Sequence, residues 1–266
     1  GEVHPEEKGK AAALARGMAD SFGGGFYAVT DSLIPLGMGL SSSAAFSLLC
    51  GKISNSFYGD GSADYMALSL AARVAENKYF GKACGLLDQI SCSHGGVVCI
   101  DFSSEIPVAT PVDFNAQPYG IYLVNTGNSH SGKDAQYSQI STNMDKAAAF
   151  FGKKKLGLVP AEEFKKNEEL LKSKKSESVY RAALHFFDEN KRVEFFCSRA
   201  ALGQTDTCLY AVNGSGISSR TNLGNVHQEA IEATTELKDI AAAVRIHGGG
   251  FGGAIQCYIK PEMKDA

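Results

Sequence analysis

Residues 35–45, Pro35-Leu36-Gly37-Met38-Gly39-Leu40-Ser41-Ser42-Ser43-Ala44-Ala45, set two glycines and three consecutive hydroxyls at the start of a helical pattern. The chemistry such a stretch can do is anion binding. The first backbone N–H groups of a helix have no partner in the chain, and the helix dipole favours negative charge beside them. Glycine lets the backbone approach a polyphosphate without a clashing side chain. Serine hydroxyls can donate to phosphate oxygens or ligate magnesium. An ordinary serine-capped core helix is the plainer alternative.

The elements that must position this stretch follow from the apolar spacing. Phe46, Leu49, Ile53 and Phe57 recur at intervals of three and four, which predicts one apolar helix face. Upstream, Phe26-Tyr27-Ala28-Val29 suits a strand. A second helix is expected from about Asp64 to Phe80, with Met66, Leu70 and Val74 on one face and Glu76 near its end. A turn containing Gly81 and Gly85 then leads to Leu86-Leu87-Asp88-Gln89-Ile90. By residue type alone, Asp88 also reads as a helix-capping acid and Glu76 as half of a surface ion pair.

Further along, Val97-Val98-Cys99-Ile100 reads as a short strand, and Ser103 to Pro118, with its prolines, as a loop and domain boundary. Tyr119 to Val124 reads as a buried strand. Helices are expected from about Asp134 to Leu202. Within them Lys153–Lys155 and Lys172–Lys175 read as solvated surface, and His185 as a packed helix residue. Ala243 to His247 and Ala254 to Ile259 suit strands.

Two motifs match better-known patterns and fail on context. Gly127-Asn128-Ser129-His130-Ser131-Gly132-Lys133-Asp134 approaches a P-loop, but its last position needs Ser or Thr to hold magnesium, and Asp134 would repel the phosphates. Gly248-x-Gly250-x-x-Gly253 matches the dinucleotide fingerprint letter by letter. That fingerprint opens a helix. Here the alternating Ile255-Gln256-Cys257-Tyr258-Ile259 follows, so strand–loop–strand is expected.

Composition narrows the class. The 266 residues are 44% hydrophobic and 21% charged, with 26 basic and 29 acidic side chains and a formal net charge of -3. That balance suits a globular chain of one large or two ordinary domains, and it argues against nucleic-acid binding by bulk electrostatics. No apolar run is long enough to span a bilayer. The opening residues, Gly1 to Lys10, are polar, so no secretory leader is expected. Seven scattered cysteines without C-x-x-C spacing read as reduced, mostly buried thiols, and a cytoplasmic location is expected.

Taken together, P-x-G-x-G-L-S-S-S-A-A, A-E-N-x-x-F-G-x-x-C-G-L-x-D-Q and R-x-H-G-G-G-F-G-G resemble the motifs of the GHMP kinase superfamily, in the wording of its galactokinase branch. The segment Ala75-Glu76-Asn77…Cys84-Gly85-Leu86-Leu87-Asp88-Gln89 is the discriminating one, and the resemblance covers nearly the whole chain. It implies a two-domain α+β GHMP kinase fold. An N-terminal domain resembling ribosomal protein S5 would occupy 1–113 and a ferredoxin-like C-terminal domain 114–266. It also implies ATP- and magnesium-dependent phosphorylation of galactose at its anomeric hydroxyl.

The same resemblance implies roles residue by residue. The ATP phosphate loop corresponds to Gly37, Met38, Gly39, Leu40, Ser41, Ser42 and Ser43. The magnesium ligands correspond to Ser43 and Glu76, and the catalytic acid to Asp88. Sugar contacts fall on Gly85, Asp88 and Tyr137. The partners implied are a small-molecule sugar and ATP, with no nucleic acid and no membrane, in a monomer or weak oligomer. The family's opening segment, which carries an arginine near the transferred phosphate and groups that grip the sugar, has no counterpart here, so the chain is expected to be N-terminally incomplete. A kinase of another sugar, such as an N-acetylated galactose, and a non-catalytic sugar- and ATP-binding sensor are the alternatives.

Overall fold

The computed structural model describes residues 2–36, 38–127, 134–251, 253–263 and 265. Gly37, Gly252 and the core of the P-loop-like run, residues 128–133, lie outside the described residues. The chain divides into two compact units. One comprises Gly1–Leu36, Leu40–Phe102 and Ile106–Pro111; the other comprises Gly37–Gly39, Ser103–Glu105 and Val112–Ala266. Helices and sheets are both present and the strands pair antiparallel, so the α+β expectation holds.

In the first unit, helices α1 (Ala11–Phe22), α2 (Ser42–Tyr58), α3 (Tyr65–Val74) and α4 (Leu87–His94) pack together, and strands β1 (Val98–Asp101) and β2 (Val108–Pro111) form an antiparallel hairpin. Asp64 starts α3 by accepting the Ala67 amide at 2.7 Å, a standard N-cap bond. Met18, Leu48, Leu68, Ala72 and Ala75 form the core. The faces differ from those the apolar spacing suggests. On α2 the buried stripe is Ala44, Ser47, Leu48, Gly51, Ser54 and Asn55, whereas Leu49 and Phe57 are exposed. On α3 it is Leu68, Ser69 and Ala72, and Val74 is exposed. Small residues win because the helices approach closely. A Cβ on Gly17 of α1 would lie 2.7 Å from the Cα of Ala75.

Two further expectations change. Phe26–Val29 is not a strand: it pairs with no other strand among the described residues, and Tyr27 and Val29 are fully exposed. β-type side chains without a ladder partner do not make a sheet. Ser103–Pro118 is not all loop, since Val108–Pro111 pairs with β1 in register Val98↔Pro111.

In the second unit, strands β3 (Gly120–Asn125), β4 (Ala241–Ile246) and β5 (Ala254–Ile259) form an antiparallel sheet in the order β3-β5-β4. Strand β3 is less buried than expected, with Ile121, Tyr122 and Leu123 exposed at the sheet's side. Central β5 is buried on both faces. Ile255, Cys257 and Ile259 pack toward α9 (Gln228–Leu237), and Tyr258 with Ala243 packs toward α8 (Thr205–Ser218). The side chain of Asn213 on α8 accepts from the Val244 amide and donates to the Ala242 carbonyl, each at 2.9 Å. Helices α5 (Asp134–Phe150), α6 (Ala161–Lys174) and α7 (Glu177–Ala200) close around a separate apolar cluster in which the Phe164 and Phe187 rings stack at 4.2 Å. His185 is half-buried on α7 against the Ser218 hydroxyl at 3.0 Å, as a packed helix residue should be, and both lysine runs are exposed.

Candidate functional site

The turn into α2 is unusual in its backbone. Gly39 has φ +77° and Ser41 has φ +55°, both in the left-handed region. For a residue with a Cβ that conformation is strained and marks a place worth explaining. Ser41 is the N-cap of α2, yet its side chain makes no capping hydrogen bond. The first amides of α2 are therefore left without the side-chain acceptor that an ordinary capped helix would have. Met38, Gly39, Leu40, Ser41, Ser42 and Ser43 are all half-buried. The Ser43 carbonyl accepts the Ser47 hydroxyl at 2.9 Å, which anchors the first turn.

Glu76 sits where α3 widens into a π-helical turn, Ala75–Phe80, a distortion frequent at functional positions. Its side chain is 1% exposed, so it is no surface ion-pair acid. The Gln89 amide donates to Glu76 Oε1 at 3.0 Å, and the Lys82 ammonium lies 3.7 Å from Oε2. The Glu76 carbonyl accepts the amides of Gly81 and Lys82 at 2.9 and 3.0 Å, closing the turn. Here Gly81 takes φ +82°, a conformation that favours glycine.

The intervening turn is pinned reciprocally. Asn77 Oδ1 accepts the Cys84 amide at 2.8 Å, and Asn77 Nδ2 donates to the Cys84 carbonyl at 3.3 Å. Burial, reinforced by the Glu76 charge, pushes the Cys84 thiol up to about 11, so it stays protonated. Asn77, Lys82 and Gln89 were not singled out from the sequence as site residues. Asn77 and Gln89 were letters of the discriminating motif, and that was the available signal.

Asp88 lies in the first turn of α4, half-buried, with Leu86 rather than Asp88 at the N-cap. It is thus not the cap, although its charge at a helix start is favourable. Its neighbour Gln89 is the residue that reaches Glu76, so the structure brings the Asp88 turn and the Glu76 turn together. Ser43 belongs to α2, which packs on α4 and on the π-helical turn in the same unit. Gly85 is exposed beside them, with open space where a Cβ would stand.

Tyr137, on α5 in the second unit, donates its hydroxyl to the Gly250 carbonyl at 2.5 Å. Gly250 belongs to the loop joining β4 and β5, so the glycine run is strand–loop–strand and the dinucleotide fingerprint is a coincidence of letters. Among the described residues there is no group of three or more His, Cys, Asp or Glu side chains arranged to hold a metal, and no helix is long and apolar enough to cross a membrane.

Residues 9–96 match the family model of the GHMP kinases N terminal domain. The chain is 31% identical over 236 residues to a galactokinase of Actinobacillus pleuropneumoniae, covering 86% of this chain and 60% of that protein. It is 30% identical over 246 residues to a galactokinase of Haemophilus influenzae (strain PittEE), covering 90% and 62%. Among solved structures, Lactococcus lactis galactokinase complexed with galactose superposes with a TM-score of 0.78 at 22% identity, covering 94% of this chain and 67% of that one. L. major mevalonate kinase in complex with R-mevalonate superposes with a TM-score of 0.60 at 14% identity, covering 99% and 73%. The fold is therefore that of the GHMP kinases, and the sequence is similar to galactokinases along most of its length. The chain spans 60–62% of the length of these curated relatives.

Proposed function

We propose that this chain carries the galactokinase reaction, in which the γ-phosphoryl group of ATP passes to the anomeric hydroxyl of galactose to give galactose 1-phosphate and ADP. The observation that carries the reading is the buried Glu76 carboxylate, held by Gln89, the residue that follows Asp88 in the chain. Such an acid is costly to bury, and a structural role alone would be met by an apolar residue. The similarity to galactokinases supplies the substrate class.

In this reading Gly37, Met38, Gly39, Leu40, Ser41, Ser42 and Ser43 bind the ATP phosphates, with the uncapped amides at the start of α2 as donors. Asp88 accepts the proton of the sugar hydroxyl as it attacks, and Gly85 and Tyr137 line the sugar. Phosphoryl transfer needs positioning and charge neutralisation more than covalent work by the protein. The donor set fits magnesium, a hard cation that takes oxygen ligands. Ser43 offers a hydroxyl and Glu76 a carboxylate whose Oε2 has its nearest cation 3.7 Å away. Magnesium bound there would offset the charge of the phosphate oxygens.

We take the division into 1–113 and 114–266 as the two domains, a reading supported by the change of compact unit at Val112. A cytoplasmic location agrees with cysteines that form no disulfide among the described residues. The test is a coupled ADP-release assay on the full chain with a panel of sugars. Galactose should be turned over with the highest kcat/KM. Preference for an N-acetylated or other sugar by about tenfold or more would reject galactose as the substrate. Binding of ATP and galactose without turnover would reject the enzyme.

A further inference from the structure

Glu76 and Lys82 stand at the two ends of one turn. The Glu76 carbonyl accepts the Lys82 amide at 3.0 Å and the Gly81 amide at 2.9 Å, so the two backbones are fixed against each other. The stem of Lys8 covers Gly81 where a Cβ would stand, and the Gly9 amide donates to the Phe80 carbonyl at 3.0 Å. Both contacts hold the turn from outside.

The two side chains differ in their surroundings. That of Glu76 is 1% exposed and that of Lys82 is 53% exposed. Gln89 Nε2 fixes Oε1 of Glu76 at 3.0 Å, while Oε1 of Gln89 itself is buried without a partner. Oε2 of Glu76 is left to the Lys82 ammonium at 3.7 Å, and neither residue makes another ion pair among the described residues. That separation is too long for a hydrogen bond, so the ammonium supplies charge and little direct bonding. A buried carboxylate stripped of its counter-charge is costly. A half-exposed lysine on a flexible stem regains water when it leaves. The acid is therefore fixed, and its cation is exchangeable.

We propose that Lys82 is a positioning residue, the resident countercation of Glu76. It occupies the Oε2 side while no metal is bound and yields that side to a divalent cation. It thereby keeps the buried acid compensated in the metal-free chain and sets how tightly the carboxylate takes the metal. The assignment of Glu76 as a metal ligand rests on the kinase reading; the Lys82–Glu76 pair itself does not.

The experiment uses the full chain and manganese, which shares magnesium's preference for oxygen ligands. Electron paramagnetic resonance counts the free ion and gives the Kd. Lys82→Met keeps the stem and removes the charge. Its manganese Kd should fall by about fivefold or more, on the order of what removing a unit charge about 4 Å away is worth in water. Without manganese the variant should melt below the parent, and saturating manganese should close that gap. Lys82→Arg, which keeps a cation, should stay near the parent in both measurements. In a Glu76→Gln background Lys82→Met should change neither.

Equal manganese affinity in the parent and in folded Lys82→Met overturns the proposal. So does a Lys82→Arg variant no closer to the parent than Lys82→Met, or a Lys82→Met effect that survives in Glu76→Gln. These readouts are binding and melting, so turnover is judged apart from them. A chain that shows the exchange but turns over no sugar would count against the kinase reading and leave the exchange standing. A chain that phosphorylates galactose with no effect of Lys82 on manganese loses the exchange alone.

Discussion

Gln89 and Glu76 meet as a buried pair, with the amide nitrogen of one 3.0 Å from a carboxylate oxygen of the other and each residue 1% exposed. The bond ties the first turn of α4 to the π-helical turn after α3. Replacing Gln89 by Leu keeps the bulk and removes the donor, leaving a buried carboxylate oxygen unsatisfied. We expect a loss of about 1–3 kcal/mol, the cost of stranding a buried acceptor. Urea unfolding of parent and variant measures it; an unchanged midpoint and slope would mean that water replaces the amide.

Glu76→Gln tests the metal role separately. The substitution preserves size and keeps one oxygen but removes the charge. Activity of the variant should need more magnesium for half-saturation than the parent, with the same maximum approached at high magnesium. A superimposable magnesium titration would remove Glu76 from the ligand set.

Asp88→Asn addresses the proton. If the carboxylate takes the proton from the sugar hydroxyl, kcat should fall by about 10²–10⁴ while nucleotide affinity changes little. A variant with near-parental kcat would leave Asp88 with no more than a favourable charge at the start of α4.

Gly17 and Gly51 make a contrasting pair in the first core. Either change to Ala gains about 1 kcal/mol of helix propensity. At Gly17 the new Cβ would lie 2.7 Å from both Cα and Cβ of Ala75, which only a backbone shift can relieve. At Gly51 it would meet the terminal Cε of Met18 at 2.4 Å, the end of a flexible chain. Overpacking costs about 1–3 kcal/mol, so it exceeds the propensity gain at Gly17 and roughly balances it at Gly51. Thermal melts should show Gly17→Ala clearly destabilised and Gly51→Ala near the parent.

His185 gives a dependence on pH. Burial between α7 and α8 pulls its pKa below the ordinary 6.5, opposed by the Glu189 charge and assisted by Arg192 and Arg245. The folded chain therefore favours the neutral imidazole. The unfolded chain binds the extra proton first, so this contribution to stability is complete above about pH 6.5 and is lost as pH falls toward the depressed folded value. His185→Gln should flatten the stability profile as pH falls below about 6.5, relative to the parent; parallel profiles would show that other groups set the acid limb.

How far the sequence could be read depended on the range of the interaction. The start of α3 near Asp64 and the strand–loop–strand around Gly248–Gly253 were legible because neighbouring residues decide them. The buried face of α2 was not. Large apolar side chains at Phe46, Leu49, Ile53 and Phe57 drew attention, but contact with α1 selects for small size, and smallness carries no periodic hydrophobic signal. Phe26–Val29 looked like a strand because propensity is local while pairing is not. At the site, the residue types of Glu76, Asp88 and Ser43 were visible as letters, but the bond from Gln89 to Glu76 depends on the turn between them, and no spacing rule encodes that turn.

Asn213 and Arg245 together occupy three outward-facing groups of β4: the Ala242 carbonyl, the Val244 amide and the Ile246 carbonyl. A strand margin is normally where a foreign extended segment can zip on. Along β4 that invitation is curtailed, because the Ala242 carbonyl, the Val244 amide and the Ile246 carbonyl already bond to side chains of the same molecule. Aggregation by strand recruitment at this margin would first have to unseat α8.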